Sequence, residues 1–124
     1  DLSGSTLEIT GVIIKNVQDK AISVGENSTM TGIRLKIEEV GTGIVSKDGS
    51  KVLISDIDIR GFRIASMMAY IKKQEYGPAS IFAKQIRAEN LPRSALVQKG
   101  SQILIDGKTV VPRDLNIKRC VRPF

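Results

Sequence analysis

The stretch Ser50-Lys-Val-Leu-Ile-Ser-Asp-Ile-Asp-Ile59 decides the fold of this 124-residue chain. Apolar and polar residues alternate along it, and a period of two is typical of a β-strand with one buried face. The same opening, a serine followed by strand-like alternation, occurs at four further places. These serines are Ser5, Ser28, Ser80 and Ser101. The five serines are separated by 23, 22, 30 and 21 residues, and a repeat of this length indicates a solenoid of stacked coils.

Apolar residues recur at fixed distances behind these serines. Two residues after the five serines stand Leu7, Met30, Val52, Phe82 and Ile103. About twelve residues after the first four stand Val17, Val40, Phe62 and Leu91. In a parallel β-helix, equivalent side chains of successive coils stack at the spacing of paired strands, about 4.8 Å. The sequence therefore predicts an all-β parallel β-helix solenoid of four to five coils, here called rungs, with these two series as internal ladders.

Residues 1–124 are predicted to form a single domain whose rungs open near residues 5, 28, 50, 80 and 101. The third unit is about eight residues longer than the others, and we expect residues 68–78 to form a loop excursion after the third rung. Residues 112–124 are predicted to be an irregular tail. Because open solenoid ends expose strand edges, we expect residues 1–5 or this tail to cap an end, or the ends to self-associate.

Composition excludes several classes of site. The chain has no His, which removes Ser-His-Asp and Cys-His catalysis and His-bearing zinc sites. Its single Cys, Cys120, excludes an internal disulfide and is interpreted as a structural thiol. The sequence shows no glycine-rich phosphate loop, no signal peptide and no apolar run near the roughly 18 residues of a membrane span. We therefore predict no cofactor and no metal, and the remaining enzymatic chemistry is that of carboxylates with Lys, Arg and Tyr, as in lyases of uronic-acid polymers.

Asp56 and Asp58 are the best candidates for such chemistry. Two apart on a strand, they are expected on one face, where paired carboxylates could bind Ca²⁺ or serve as acid and base. Alternatively, Arg34 and Lys36 stand at the same offsets in the preceding rung and would form cross-strand ion pairs with them, and Arg87 follows at the equivalent place in the fourth rung. We expect the ion pairs, and no residue is assigned as catalytic.

The excursion offers a second kind of candidate. Lys72, Lys73 and Tyr76 interrupt the repeat with charge and an aromatic ring, and insertions on solenoids often carry binding sites. The alternative is a loop that only packs against the side of the stack.

Charge is distributed unevenly along the chain. Residues 84–124 hold nine Lys and Arg against three Asp and Glu, which accounts for the whole formal charge of +6. This excess predicts an anionic partner, either an acidic polysaccharide or an acidic protein surface. A nucleic acid is disfavoured because aromatic residues make up only 4% of the chain. The basic candidates are Lys84, Arg87, Arg93 and Lys108.

Three sequence segments resemble a known family. They are Lys20-Ala-Ile-Ser-Val-Gly-Glu-Asn-Ser28, Gly43-Ile-Val-Ser-Lys-Asp-Gly-Ser50 and Lys73-Gln-Glu-Tyr-Gly-Pro-Ala79. They resemble right-handed parallel β-helix segments of larger bacterial proteins, and residues 3–105 are similar more broadly to the pectate-lyase-like superfamily. The resemblance implies a noncatalytic binding or scaffold module of a secreted or cell-surface protein. The alternative it implies is a truncated polysaccharide lyase or hydrolase, although no catalytic residue of the lyases has a matching motif here.

Overall fold

In a computed structural model of the chain, residues 2–115 are described, and every regular element among them is a β-strand. Asp1 and residues 116–124, which include Cys120 and most of the predicted tail, lie outside the described residues. The strands are β1 (Leu2–Ser3), β2 (Thr6–Gly25), β3 (Thr29–Lys47), β4 (Lys51–Tyr70), β5 (Ser80–Ala88), β6 (Ala95–Val97), β7 (Gln102–Ile105) and β8 (Lys108–Thr109).

These strands form one sheet in the order β1-β2-β3-β4-β5-β7-β8, with β6 paired to β4. All pairs are parallel except β7 with β8. Residues one repeat apart in sequence are directly opposite each other, as Leu7 is to Met30 and Met30 is to Val52. The fold is therefore a parallel β-solenoid of about 4 turns, as the serine repeat predicts.

Each rung is bent at residues with positive φ. The first bends are at Gly11, Arg34, Asp56 and Gln85, and the second are at Asn16, Glu39, Gly61 and Asn90. Their φ values lie between 51° and 68°, the left-handed region in which a single residue redirects the chain. The bends divide the rungs into three faces. The first face holds residues 6–10, 29–33, 51–55, 80–84 and 102–105, the second holds 12–15, 35–38, 57–60 and 86–88, and the third holds 20–25, 42–47, 65–70 and 95–97.

The recurring serine lies at the corner that precedes the first face. The Ser5 N–H donates to Ser28 Oγ over 3.1 Å, and the Ser28 N–H donates to Ser50 Oγ over 3.2 Å. Ser28 Oγ in turn donates to the Gly25 carbonyl over 2.7 Å. Each hydroxyl thus satisfies a backbone N–H of the preceding rung, which explains why a small hydroxyl residue recurs at this corner.

The fourth rung departs from the predicted register by one residue. Ala79, rather than Ser80, takes the corner position, because the Ala79 N–H donates to Ser101 Oγ over 3.1 Å. Ser80 lies opposite Lys51, the residue after the corner serine of the third rung. The longer connection before this rung therefore moves the serine out of its usual place.

This shift changes the core ladder of the first face. Ile81 lies opposite both Val52 and Ile103, and its side chain is fully buried. The prediction that Phe82 belongs to this ladder is wrong. Phe82 lies opposite Leu53 instead, so by the strict alternation of strand side chains its ring is on the outer side of the sheet.

The predicted excursion, residues 68–78, also begins too early. Met68 lies opposite Val45 and is fully buried, and β4 continues to Tyr70. The connection between β4 and β5 is residues 71–79. Apolar Met68 and Tyr70 are retained in the stack because they pack in a buried cluster on the third face.

Residues beyond β8 also contact the stack. The Arg113 N–H donates to the Val97 carbonyl over 2.8 Å, and Arg113 forms a parallel bridge with Gln98. Leu115 packs against the buried cluster that contains Met68. The described part of the predicted tail thus lies against the C-terminal rungs.

Candidate binding surfaces

Asp56 and Asp58 both pair with one guanidinium on the second face. Arg87 Nε lies 2.6 Å from Asp58 Oδ1, and Arg87 Nη2 lies 2.5 Å from Asp56 Oδ1. The ion-pair interpretation is confirmed, but the predicted partners were wrong, because the pairs run to Arg87 in the following rung rather than to Arg34 and Lys36. A planar guanidinium can serve two carboxylates at once, which a lysine ammonium does less well.

The pairing changes the pKa values of Asp58 and Arg87. The hydrogen bond from Arg87 is the main reason that the pKa of Asp58 lies below its usual range. Asp58 and Asp56, in that order, raise the pKa of Arg87. Asp58 therefore stays ionised near neutral pH and is poorly suited to donate a proton as a general acid. The cluster gives no support to the lyase or hydrolase alternative.

Further charges on the second face alternate in sign from rung to rung. Lys15 lies opposite Glu38, and Glu38 lies opposite Arg60. Opposite charges directly across a strand pair stabilise a sheet, so Glu38 and Asp58 offset part of the positive charge of Lys15, Lys36, Arg60 and Arg87 on this face. Arg87, predicted to bind an anion, is already engaged by two carboxylates.

The connection 71–79 is tied to the stack by buried Asp48. Asp48 Oδ1 accepts hydrogen bonds from the Lys72 and Lys73 N–H groups, both over 2.7 Å. The Ile71 N–H donates to Gln98 Oε1 over 2.7 Å. From the sequence, the Asp48-Gly49 corner is interpreted as turn chemistry, and its role as the acceptor that anchors this connection was not predicted.

Two of the three predicted loop residues contact the same carboxylate. Lys73 Nζ lies 2.7 Å from Glu26 Oε1, and the Tyr76 hydroxyl donates to Glu26 Oε2 over 3.4 Å. The hydrogen bond to Glu26 is the main cause that raises the pKa of Lys73. Lys72 has an exposed side chain. The loop thus packs against the side of the stack, and Lys73 and Tyr76 are used in that packing.

Lys47 is a partly buried cation beside this connection. Its stem crosses Gly25, where a side chain would meet Lys47 Cε at 2.9 Å, so the glycine makes room for it. Burial lowers the pKa of Lys47, and the positive charges of Lys20 and Lys72 lower it further. The lowered pKa of Lys47 is therefore first a consequence of its burial.

A surface depression of about 670 Å³ lies between the second and third faces. It is lined by Asn16, Val17, Gln18, Glu39, Arg63 and Ile64. Arg63 Nη2 donates to the carbonyls of Gln18, over 2.5 Å, and Val17, over 3.3 Å, and so reaches from the third rung to the first. The guanidinium acts here as a clamp across the intervening rung, a role that no sequence pattern indicated.

The outer side of the first face carries an apolar row. Leu53, Phe82 and Leu104 lie opposite one another in successive rungs, and all three are partly exposed. Lys51 Nζ lies 5.6 Å from the centroid of the Phe82 ring. Lys84 follows Phe82 by two residues on the same side of the strand. We call these five outward side chains the Phe82 surface.

The predicted binding residues lie at several separate places. Lys84 belongs to the Phe82 surface, and Lys108, in β8, lies opposite Ile105 at the C-terminal end of the same face. Arg87 is on the second face, and Arg93 is exposed in the turn between β5 and β6. Lys72, Lys73 and Tyr76 are in the connection 71–79. Only Lys84 and Lys108 thus share a face.

Within residues 2–115, no group of three or more Asp, Glu, His and Cys side chains is arranged to hold a metal ion. The part of the chain that the structure describes also has no helix of the length and apolarity needed to cross a membrane. Comparison of the chain with protein-family models, with curated proteins and with solved structures gave no match.

Proposed function

We propose that this protein is a noncatalytic binding module that holds an acidic polysaccharide on the Phe82 surface. The observation that carries the proposal is the row Leu53, Phe82 and Leu104 with Lys51 and Lys84 beside it. Neither segment 51–55 nor segment 80–84 contains an Asp or Glu, so no carboxylate of these segments competes for the two lysines.

The dimensions of the surface suit an extended chain. Equivalent side chains of successive rungs are about 4.8 Å apart, so the apolar row runs along the solenoid axis rather than along one strand. The apolar sides of sugar rings can contact the Phe82 ring and the two leucines, since an aromatic ring offers a large apolar area. The ammonium groups of Lys51 and Lys84 are then available to uronate carboxylates at the edges of the row.

The distribution of charge along the chain favours anion binding at the same end of the molecule. Residues 84–124 account for the net charge of +6, with nine Lys and Arg against three Asp and Glu. The Phe82 surface lies in the third to fifth rungs, next to this basic segment. An anionic polymer would therefore be attracted to the C-terminal rungs before it contacts Phe82.

Two further parts of the proposal rest on general rules and on resemblance. We propose that the solenoid is right-handed, because crossover connections between parallel strands of one sheet are almost always right-handed. We also propose that it belongs to a larger bacterial secreted or cell-surface protein of the pectate-lyase-like kind, which the three phrases quoted above support.

Sodium polygalacturonate is the probe that tests this function, with binding measured by isothermal titration calorimetry. We expect binding that weakens steeply with salt, because exposed charges are screened beyond about 8 Å at physiological ionic strength. Phe82→Ala and Lys84→Glu should each weaken it, whereas Lys36→Glu, the same charge change on the second face, should have a much smaller effect. A fully methyl-esterified polymer should not bind.

Equal binding by all three variants would refute the assignment to the Phe82 surface. Absence of binding at low salt would refute the polysaccharide as ligand and would direct the search to an acidic protein surface.

A further inference from the structure

The apolar row on the outer side of the first face is continued by polar residues at both of its ends. At one end, Leu53 lies opposite Thr31 of β3, and Thr31 lies opposite Glu8 of β2. At the other end, Leu104 lies opposite Thr109 of β8. These three polar residues therefore determine where a polymer that lies along the row can extend beyond it.

The two ends of the row differ in charge. Glu8 is exposed and forms no ion pair within the described chain. It is also the single Asp or Glu in the strand segments of the first face, which are residues 6–10, 29–33, 51–55, 80–84 and 102–105. Thr109 is uncharged and belongs to the basic segment 84–124. An anionic chain is thus repelled at the Glu8 end and attracted at the Thr109 end.

Distance decides which part of a bound polymer the charge of Glu8 can reach. Paired strands are about 4.8 Å apart, so Glu8 is one step from Thr31 and three steps, about 14 Å, from Phe82. Exposed charges are screened beyond about 8 Å at physiological ionic strength. Glu8 therefore repels a carboxylate placed over Thr31 but has little effect on a uronate that stacks on Phe82.

We propose that Glu8 limits the polysaccharide site, so that the bound chain ends its contacts at Leu53 and extends beyond the apolar row only over Thr109. This inference rests on the proposed function and adds the register in which the polymer lies. The row crosses the face of the sheet, so strand pairing at either end of the solenoid would leave it exposed. Glu8 selects the position of the chain by repulsion and does not itself bind it.

Oligogalacturonates of three and six residues test this limit, with affinities measured by isothermal titration calorimetry at physiological ionic strength. A trimer is chosen because the apolar row spans three rungs. Glu8→Lys replaces repulsion by attraction at Thr31, and we expect it to raise the affinity for the hexamer about threefold or more relative to that for the trimer. Glu39→Lys, the same charge change at an exposed bend between the second and third faces, should leave this ratio unchanged.

Methyl NMR locates the bound chain independently of affinity. The methyl groups of Thr31 and Thr109 belong to exposed residues just beyond the two ends of the apolar row. When the hexamer is added to the wild type, the Thr109 signal should shift more than the Thr31 signal. In Glu8→Lys, the Thr31 signal should shift about as much as the Thr109 signal. The Leu53 methyl signals should shift in both proteins.

The outcomes separate this inference from the proposed function. If neither oligomer bound the wild type, or if Phe82→Ala bound both as tightly as the wild type does, the proposed function would be refuted and this limit with it. If Phe82→Ala weakened binding but the wild type showed equal shifts of Thr31 and Thr109, the limit alone would be refuted. An unchanged hexamer-to-trimer ratio in Glu8→Lys would have the same meaning.

Discussion

Arg87 donates from Nε to Asp58 Oδ1 over 2.6 Å, and the two residues lie directly opposite each other in neighbouring rungs. Nη2 of the same guanidinium bonds Asp58 Oδ2 over 3.2 Å and Asp56 Oδ1 over 2.5 Å. A single side chain thus joins the third rung to the fourth on the second face. Below this contact Ile57 and Ile86, also opposite each other, form part of the core ladder.

The first prediction concerns the pH dependence of this contact. Because Arg87 lowers the pKa of Asp58 in the folded protein, the pair stabilises the fold above the unfolded pKa of about 3.9. The contribution is lost as the pH falls through the lower folded value. We expect the urea midpoint of Arg87→Ala to lie below that of the wild type by a constant amount between pH 5 and 7. The difference should shrink below about pH 4. An identical difference at pH 3 would contradict this account, and Arg93→Ala, an exposed turn variant, is the control.

The second prediction tests the corrected register of the fourth rung. Ile81 is fully buried, so Ile81→Ala should lower the free energy of unfolding by about 2–5 kcal/mol. Phe82 is partly exposed, and Phe82→Ala should cost about 1 kcal/mol. Chemical denaturation of both variants gives the comparison. A larger loss for Phe82→Ala would support the inward position that the sequence alone indicates.

Much of the fold could be predicted because a solenoid repeats its local rules. The alternation around Ile57 and the serine period were enough to place Leu7, Met30 and Val52 in one ladder, and the structure pairs them so. The position of Phe82 could not be predicted. A connection of variable length precedes it, and only the hydrogen bond from Ala79 to Ser101 shows which residue takes the corner.

The third prediction separates serines that look alike in sequence. Ser50→Ala removes the acceptor of the buried Ser28 N–H and should cost about 1–3 kcal/mol of stability. Ser80 begins a similar sequence segment but forms no side-chain hydrogen bond within the described residues. Ser80→Ala should therefore change the stability very little. Denaturant melts measure both, and equal effects would mean that the corner hydrogen bond contributes little.

The candidate surfaces were harder to predict than the fold. Charge counting identified Lys84 and Arg87 alike, but strand register sets Arg87 opposite Asp58 and leaves Lys84 opposite Ser55. Whether a basic residue is engaged or available depends on its neighbour one rung away. The repeat places both Lys36 and Arg87 one rung away from Asp58, and the sequence could not show that the carboxylate pairs with Arg87.

The last prediction concerns Asp48 and the connection it holds. Asp48 is 1% exposed, and its Oδ1 is the acceptor for the Lys72 and Lys73 N–H groups. Asp48→Ala leaves both donors without this acceptor, so we expect a loss of about 1–3 kcal/mol and faster trypsin cleavage after these lysines.

Asp48→Asn should behave differently from Asp48→Ala. The Asn amide retains an oxygen that can accept from the two N–H groups. The substitution also removes the negative charge of a carboxylate whose other oxygen, Oδ2, is buried with no hydrogen-bond partner in the described structure. We therefore expect Asp48→Asn to keep the connection resistant to trypsin. The control is Asp114→Ala, at a side chain that is 89% exposed, and trypsin should cleave this variant at the wild-type rate. If Asp48→Ala were as resistant as the wild type, the connection would be held by its contacts with Glu26 and Gln98 instead.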